Sequence, residues 1–364
     1  MNYKSLVLIL ALFVTLISCD KTEPNKVDFD RTALLNNYAN KVILPRYELL
    51  QAKSTALHDA ALNFEANINQ ANLDLLRADF QATYLVWQAC SSVEFGPAGM
   101  ETLKLVFNTY PVDRNKILTN IASASYNLDA AQQIDAIGLP ALDYLLYGTN
   151  NNDQEILNTF TNQSAAINYL LDLTSQLKNK SSSVYAQWNT TYSNTFINAN
   201  GTDVGSSLSL LINEMNLDFE KFIRDGKIGI PLGKRSLGNP QVDKLEAYYS
   251  RESLVLVKES VQRLEELYSG TSLEGVNGLG LDDYLDAVNA SNNGQDLSLL
   301  ISNQFAAIQL SLDAINSNLN DAIINNPSQV DDVYNKMQQL IVYFKVDLAS
   351  NLGVLISYQD NDGD

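Results

Sequence analysis

The chain has 364 residues, 46% of them hydrophobic, and a formal net charge of −18. That is enough for two domains of ordinary size, and it excludes an intrinsically disordered chain. The acidic balance argues against nucleic acid or anionic lipid as a partner and is compatible with cations.

At the N-terminus, Lys4 precedes an apolar run from Leu6 to Ile17, followed by Ser18 and Cys19. This is a signal-peptide pattern over residues 1–18. Leu16-Ile17-Ser18-Cys19 resembles a bacterial lipobox, so Cys19 is the expected lipidation site and the membrane the expected partner. An ordinary secretion signal with an incidental cysteine is the alternative. Residues 19–29 read as a polar tether. No later stretch approaches the roughly 20 apolar residues of a membrane span. Cys90 is then the only cysteine of the body, so no intramolecular disulfide can form, and its place on an apolar stripe suggests a buried small hydrophobe.

The body reads as helical throughout. A first helix is expected from about Thr32 to Phe64, kinked or divided at Pro45. Apolar residues recur at steps of three and four through Leu73, Leu76, Phe80, Thr83, Trp87 and Cys90. The same spacing runs through Val204, Leu208, Leu211, Met215 and Phe222, and through Leu254, Val257, Val261 and Leu264. It returns in Ile301, Phe305, Ile308, Leu312, Ile315 and Leu319, and in Val330, Tyr334, Met337, Ile341, Phe344 and Leu348. Each stripe gives a helix one apolar face, and strict strand alternation is absent. Long helices with one apolar face each must pack on one another. The expected fold is therefore all-α: two antiparallel helical bundles, over residues 30–200 and 201–359, with an acidic tail at 360–364. Phe95-Gly96-Pro97 should end the second helix. Asp225 to Pro240 and Gly270 to Gly280 should be glycine-rich loops.

One internal echo suggests duplication. Residues 138–145 align without gaps on residues 278–285, and five of the eight positions agree. Asp283 is thereby the counterpart of Asp143.

Several segments together resemble the imelysin family of bacterial envelope proteins tied to iron uptake. They are residues 38–47, Trp87 with Glu94-Phe95-Gly96-Pro97, and Tyr110-Pro111-Val112-Asp113. Gly138-Leu139-Pro140-Ala141-Leu142-Asp143-Tyr144, Lys227-Ile228-Gly229-Ile230-Pro231 and Glu246-Ala247-Tyr248-Tyr249-Ser250 complete the set. The resemblance implies a two-bundle fold and an envelope location. The family's signature segment carries G-x-H-x-x-E, and it has been linked to peptidase activity. Here Pro140 stands at the His position and Asp143 at the Glu position. Proline can neither bind a metal nor move a proton.

A zinc peptidase needs three protein ligands, usually including His, and an open position for water. The chain has one histidine, His58, which reads as a packing or surface residue on the first helix. Asp143 has two readings. It is a first-turn carboxylate favoured by the helix dipole after Gly138 and Pro140, or it is an oxygen ligand in a pocket between the bundles with Gly138, Pro140, Tyr144 and Asp283. Glu94 continues the stripe of Trp87 and Cys90, where a carboxylate is costly unless paired or ligating. Glu94 and Asp113 either form salt bridges with Arg46 and Arg114 or converge with Asp143 on a cation. Asp360, Asp362 and Asp364 resemble the start of a calcium loop, the alternative being a solvated acidic tail. Carboxylate oxygens suit iron or calcium. The reading is a lipid-anchored envelope protein that binds a metal ion, a metal complex or an iron-uptake component without catalysis. An atypical metallopeptidase and a pure interaction module are the competing classes.

Overall fold

The computed structural model describes residues 29–148 and 152–358. Residues 1–18, Cys19, and the tail residues Asp360, Asp362 and Asp364 lie outside the described residues. The expected all-α architecture is present. Its principal helices are α1 (Leu44–Ala66), α2 (Gln70–Cys90), α3 (Gly138–Asp143), α4 (Ser164–Gln187) and α5 (Ser207–Leu217). They continue with α6 (Ser253–Tyr268), α7 (Leu281–Ala287), α8 (Leu297–Asp313) and α9 (Pro327–Val342). Side-chain caps set several starts: Asn69 accepts from the Asn72 amide at α2, Ser206 from Ser209 at α5 and Asp296 from Leu299 at α8.

Helix α1 packs on α2 and α4, α8 packs on α9, and α6 packs on both α2 and α8. The buried apolar side chains form one continuous core. The stripe of α2 is buried throughout, and so are those of residues 301–319 and 330–348, apart from the half-buried Tyr334. Cys90 is buried as expected, and burial pushes its thiol up to about 12. His58 joins α1 to α4, with Nδ1 3.0 Å from Thr174 Oγ1, and partial burial lowers its pKa.

Three expectations need correction, and one small element was unforeseen. Pro45 does not divide the first helix. The backbone runs from Arg31–Asn37 into α1 through Tyr38–Ile43, whose i→i+5 hydrogen bonds form the wide turn in front of the proline. The segment from Asp225 is not a loop until Gly233. The same wide bonding extends α5 over Asp218–Gly229, and a short turn follows at Ile230–Leu232. Gly229 is needed in that helix because a Cβ would lie 2.7 Å from the Tyr334 ring. The stripe through Val204 and Phe222 breaks at both ends: Val204 precedes α5 and is exposed, and Phe222 lies where the wider turn shifts the apolar face. Finally, Ser291–Asn292 pairs antiparallel with Gln295–Asp296 in a small hairpin. Asn293 and Gly294 turn it with φ of 51° and 77°, the geometry that Asn-Gly favours.

Candidate functional site

The segment around Asp143 lies where α3 meets the turn before α6. Gly138 opens α3 with φ +75°, and a Cβ there would lie 2.4 Å from the Val106 carbonyl oxygen. This glycine lets α3 approach the backbone of the helix Leu103–Asn108. Pro140 sits within α3. Asp143 is the last residue of α3, not a first-turn residue, because the helix begins at Gly138. Its carboxylate is 1% exposed and accepts the Tyr249 amide at 2.9 Å and the Ser250 amide at 3.0 Å. Burial raises its pKa to about 6, against the lowering effect of the Ser250 and Tyr249 donors, and Glu246 adds to the rise. The Tyr144 ring packs 5.2 Å from that of Tyr249. The adjoining pocket, lined by Tyr110, Pro140, Asp143, Ala247, Tyr248 and Tyr249 among others, measures about 20 Å³. That is room for about one water.

Glu94 does not continue the α2 stripe. Helix α2 ends at Cys90, a tight turn covers Ser91–Val93, and Glu94 lies outside helical geometry. Its carboxylate accepts the Lys104 amide at 2.6 Å and lies 3.9 Å from the Lys104 ammonium. The same ammonium meets Glu214 at 2.8 Å and Asp218 at 2.9 Å, and it stands 4.3 Å from the Phe222 ring centre. Asp218 also accepts Ser91 Oγ at 3.0 Å and Ser92 Oγ at 2.6 Å. Burial alone would lower the Lys104 pKa, but Asp218, Glu214 and Glu94 more than reverse this and hold the ammonium charged. Burial raises Glu214 to about 7, partly offset by Lys104, and raises Glu94 as well. Three acids therefore surround one ammonium, and burial makes two of them, Glu214 and Glu94, easier to protonate.

A second buried cation, Lys227, pairs with Glu246 and donates to Gln88 Oε1 at 2.8 Å. Glu246 Oε1 accepts Asn108 Nδ2 at 2.7 Å and Gln88 Nε2 at 3.2 Å. Ser260 Oγ donates to Gln88 at 2.8 Å, and the Tyr84 hydroxyl donates to Asn108 at 2.7 Å. This network ties α2, the helix Leu103–Asn108, the end of the wide helix and α6 into one buried junction. The sequence reading missed Lys104, Lys227, Gln88, Glu214, Asp218 and Glu246 as site residues. Lysine inside the apolar run Leu103-Lys104-Leu105-Val106-Phe107 was the available signal.

The other candidates have local partners. Asp113 is an exposed cap that accepts the Lys116 amide at 3.1 Å. Asp283 accepts the Gly280 amide at 2.9 Å at the start of α7, so its role differs from that of its echo Asp143. Arg46 pairs with none of these carboxylates: it donates to the Ala89 carbonyl at 2.8 Å and the Arg263 carbonyl at 3.0 Å. Arg114 is exposed. Glu94, Asp113 and Asp143 thus have separate partners. Among the described residues, no group of three or more His, Cys, Asp or Glu side chains is placed to hold a metal ion.

Known proteins share both sequence and architecture with this chain. Iron-regulated protein A of Synechococcus elongatus is 22% identical over 251 residues, covering 66% of this chain. The match spans 65% of that relative, slightly under two thirds of its length. A Parabacteroides distasonis crystal structure, provisionally named an iron-regulated protein A precursor, superposes with a TM-score of 0.73 at 18% identity. That superposition covers 88% of this chain and 95% of the other. An imelysin-like protein of Psychrobacter arcticus gives a TM-score of 0.70 at 18% identity, covering 90% of this chain and 97% of its own. The imelysin model (Peptidase_M75) matches residues 43–342, which include the Gly138–Asp143 segment and both buried lysines. The chain belongs to the imelysin family.

Proposed function

We propose that this protein is a non-catalytic envelope component of the imelysin type, held to a membrane through lipidated Cys19 and serving iron uptake by binding. One observation carries this reading. At the segment where the family places its motif His and Glu, this chain has a proline and a buried aspartate whose two oxygens are each taken by a backbone amide. A water-activating metal centre needs several ligands and an open coordination position. The pocket here is about the size of one water, and Asp143 fastens the turn before α6. The names of the relatives support the link to iron, and the leader pattern supports the envelope location.

The test pairs chemistry with physiology. Purified protein is incubated with an unfolded substrate protein, with and without chelator, and labelled iron uptake is compared in cells with and without the gene. The expected result is no cleavage, together with reduced uptake in the deletion strain. Chelator-sensitive cleavage that is lost in a folded Asp143→Asn variant would establish the peptidase reading instead.

A further inference from the structure

Helix α4 carries a polar face built at helical spacing. Asn168, Asp172, Ser175 and Asn179 follow one another at steps of four, three and four, so they share one side of the helix. The segment after the helix Arg114–Ser123 stands over that side. Ala124 ends the helix at φ +49°, and the Ala130 amide closes a turn on the Asn127 carbonyl at 3.0 Å. Two side-chain bonds fasten this segment to α4 one turn apart. The Tyr126 hydroxyl donates to Asp172 Oδ2 at 2.7 Å, and Gln176 Nε2 donates to Asp129 Oδ1 at 3.1 Å.

The result is a groove of two basins. One, of about 530 Å³, follows α4 from Ala165 to Asp172 beside Ser125. The other, of about 470 Å³, continues from Asp172 to Lys180 beside Asn127 and Leu128. Each falls within the roughly 300–1,000 Å³ of ligand sites. A helix rises about 22 Å over those positions, so the groove suits a chain more than a single small molecule. Tyr126 and Asp172 line both basins and form the partition between them. The Tyr126 ring meets the buried Tyr169 ring edge-on, with centroids 4.9 Å apart and planes at 89°. That contact fixes the partition before any ligand arrives.

The lining chemistry narrows the ligand. Lys180 is paired with Glu101 at 2.7 Å, and the other charged groups of the lining are Asp129 and Asp172, so an anion is disfavoured. Side-chain amides and hydroxyls dominate the rest, and each offers both donors and acceptors. Gln176 Oε1 is buried without a hydrogen-bond partner, and acceptors of this kind normally find a donor. Tyr126 joins an apolar ring to a polar tip, and Leu128 and Leu171 add small apolar patches. The matching ligand is an uncharged chain with many hydroxyls and apolar C–H faces.

We propose that this groove binds a neutral oligosaccharide, with Tyr126 against a sugar ring and Asn168 and Asn179 hydrogen-bonding toward its two ends. The site shares no residue with the Gly138–Asp143 segment, and it rests on neither the iron reading nor the lipid anchor.

Calorimetric titration of the purified protein with chitohexaose and maltohexaose, neutral chains with and without acetamido groups, tests this. At least one should bind, with an affinity insensitive to salt because no ion pair forms. Tyr126→Ala should weaken binding by at least about tenfold. That variant also loses a packed ring, so Asn168→Ala and Asn179→Ala complete the test. Both positions are exposed, and each variant should keep its melting temperature while affinity falls. No binding of either sugar, or binding undiminished in all three variants, would overturn the proposal. So would tighter, salt-sensitive binding of a hexalysine peptide, which would make the groove a site for a cationic segment.

Discussion

Asp143 shows what a single carboxylate does when it is buried as an acceptor. Replacing it with alanine leaves two partly buried amides, those of Tyr249 and Ser250, without this acceptor. We expect Asp143→Ala to cost about 2 kcal/mol in urea unfolding, and a cost near zero would show that the staple is dispensable. Burial also sets a pH dependence. Asp143 is raised from 3.8 to about 6 and Glu214 from 4.5 to about 7. Between the unfolded and folded values, the folded protein binds more protons than the unfolded chain. These two groups therefore make stability rise as pH falls from about 7 toward 4.5, and weaken it as pH climbs back. Melting curves across that range should show the rise, and Glu214→Gln should flatten its upper part. A profile that falls steadily on acidification would contradict the assignment. Sequence spacing brought out Asp143 as a special residue, but its partners lie more than 100 positions away, beyond any local pattern.

At the scale of elements, close approach and internal charge decide the packing. Gly138→Ala adds a Cβ 2.4 Å from a carbonyl oxygen at a position with φ +75°. It should cost more than the roughly 1 kcal/mol of a simple backbone effect and lower the melting temperature without changing helix content. Lys104 joins the helix Leu103–Asn108 to α5 and its wide continuation through Glu214 and Asp218. Lys104→Met leaves their carboxylates uncompensated and should cost about 3–5 kcal/mol. Adding Glu214→Gln should recover part of that loss, measured by the same unfolding curves; no recovery would separate the two residues. The apolar stripes made α2, α8 and α9 legible, because a period near 3.6 survives wherever the helix is regular. The wide turns at Tyr38–Ile43 and Asp218–Gly229 were not legible. Their extra residue shifts the period; Pro45 read as a kink or break after the first, and the glycines and proline from Asp225 on read as a loop at the second.

For the whole molecule, the buried cations near the motif segment are the ammonium groups of Lys104 and Lys227. Chelator should accordingly leave the melting temperature unchanged, and a clear drop would point to a bound metal that holds the fold. From the sequence alone followed the helical class and the burial of Cys90 and of the stripes of α2, α8 and α9. These depend on residue type and short-range spacing, which the chain carries locally. Tertiary structure alone decided that Glu94 and Asp143 serve separate networks and that Asp113 and Asp283 are local caps. It also decided that Lys104 and Lys227 lie within the core. A buried charge is tolerated only where distant segments bring it partners, and no local pattern records which segments will meet.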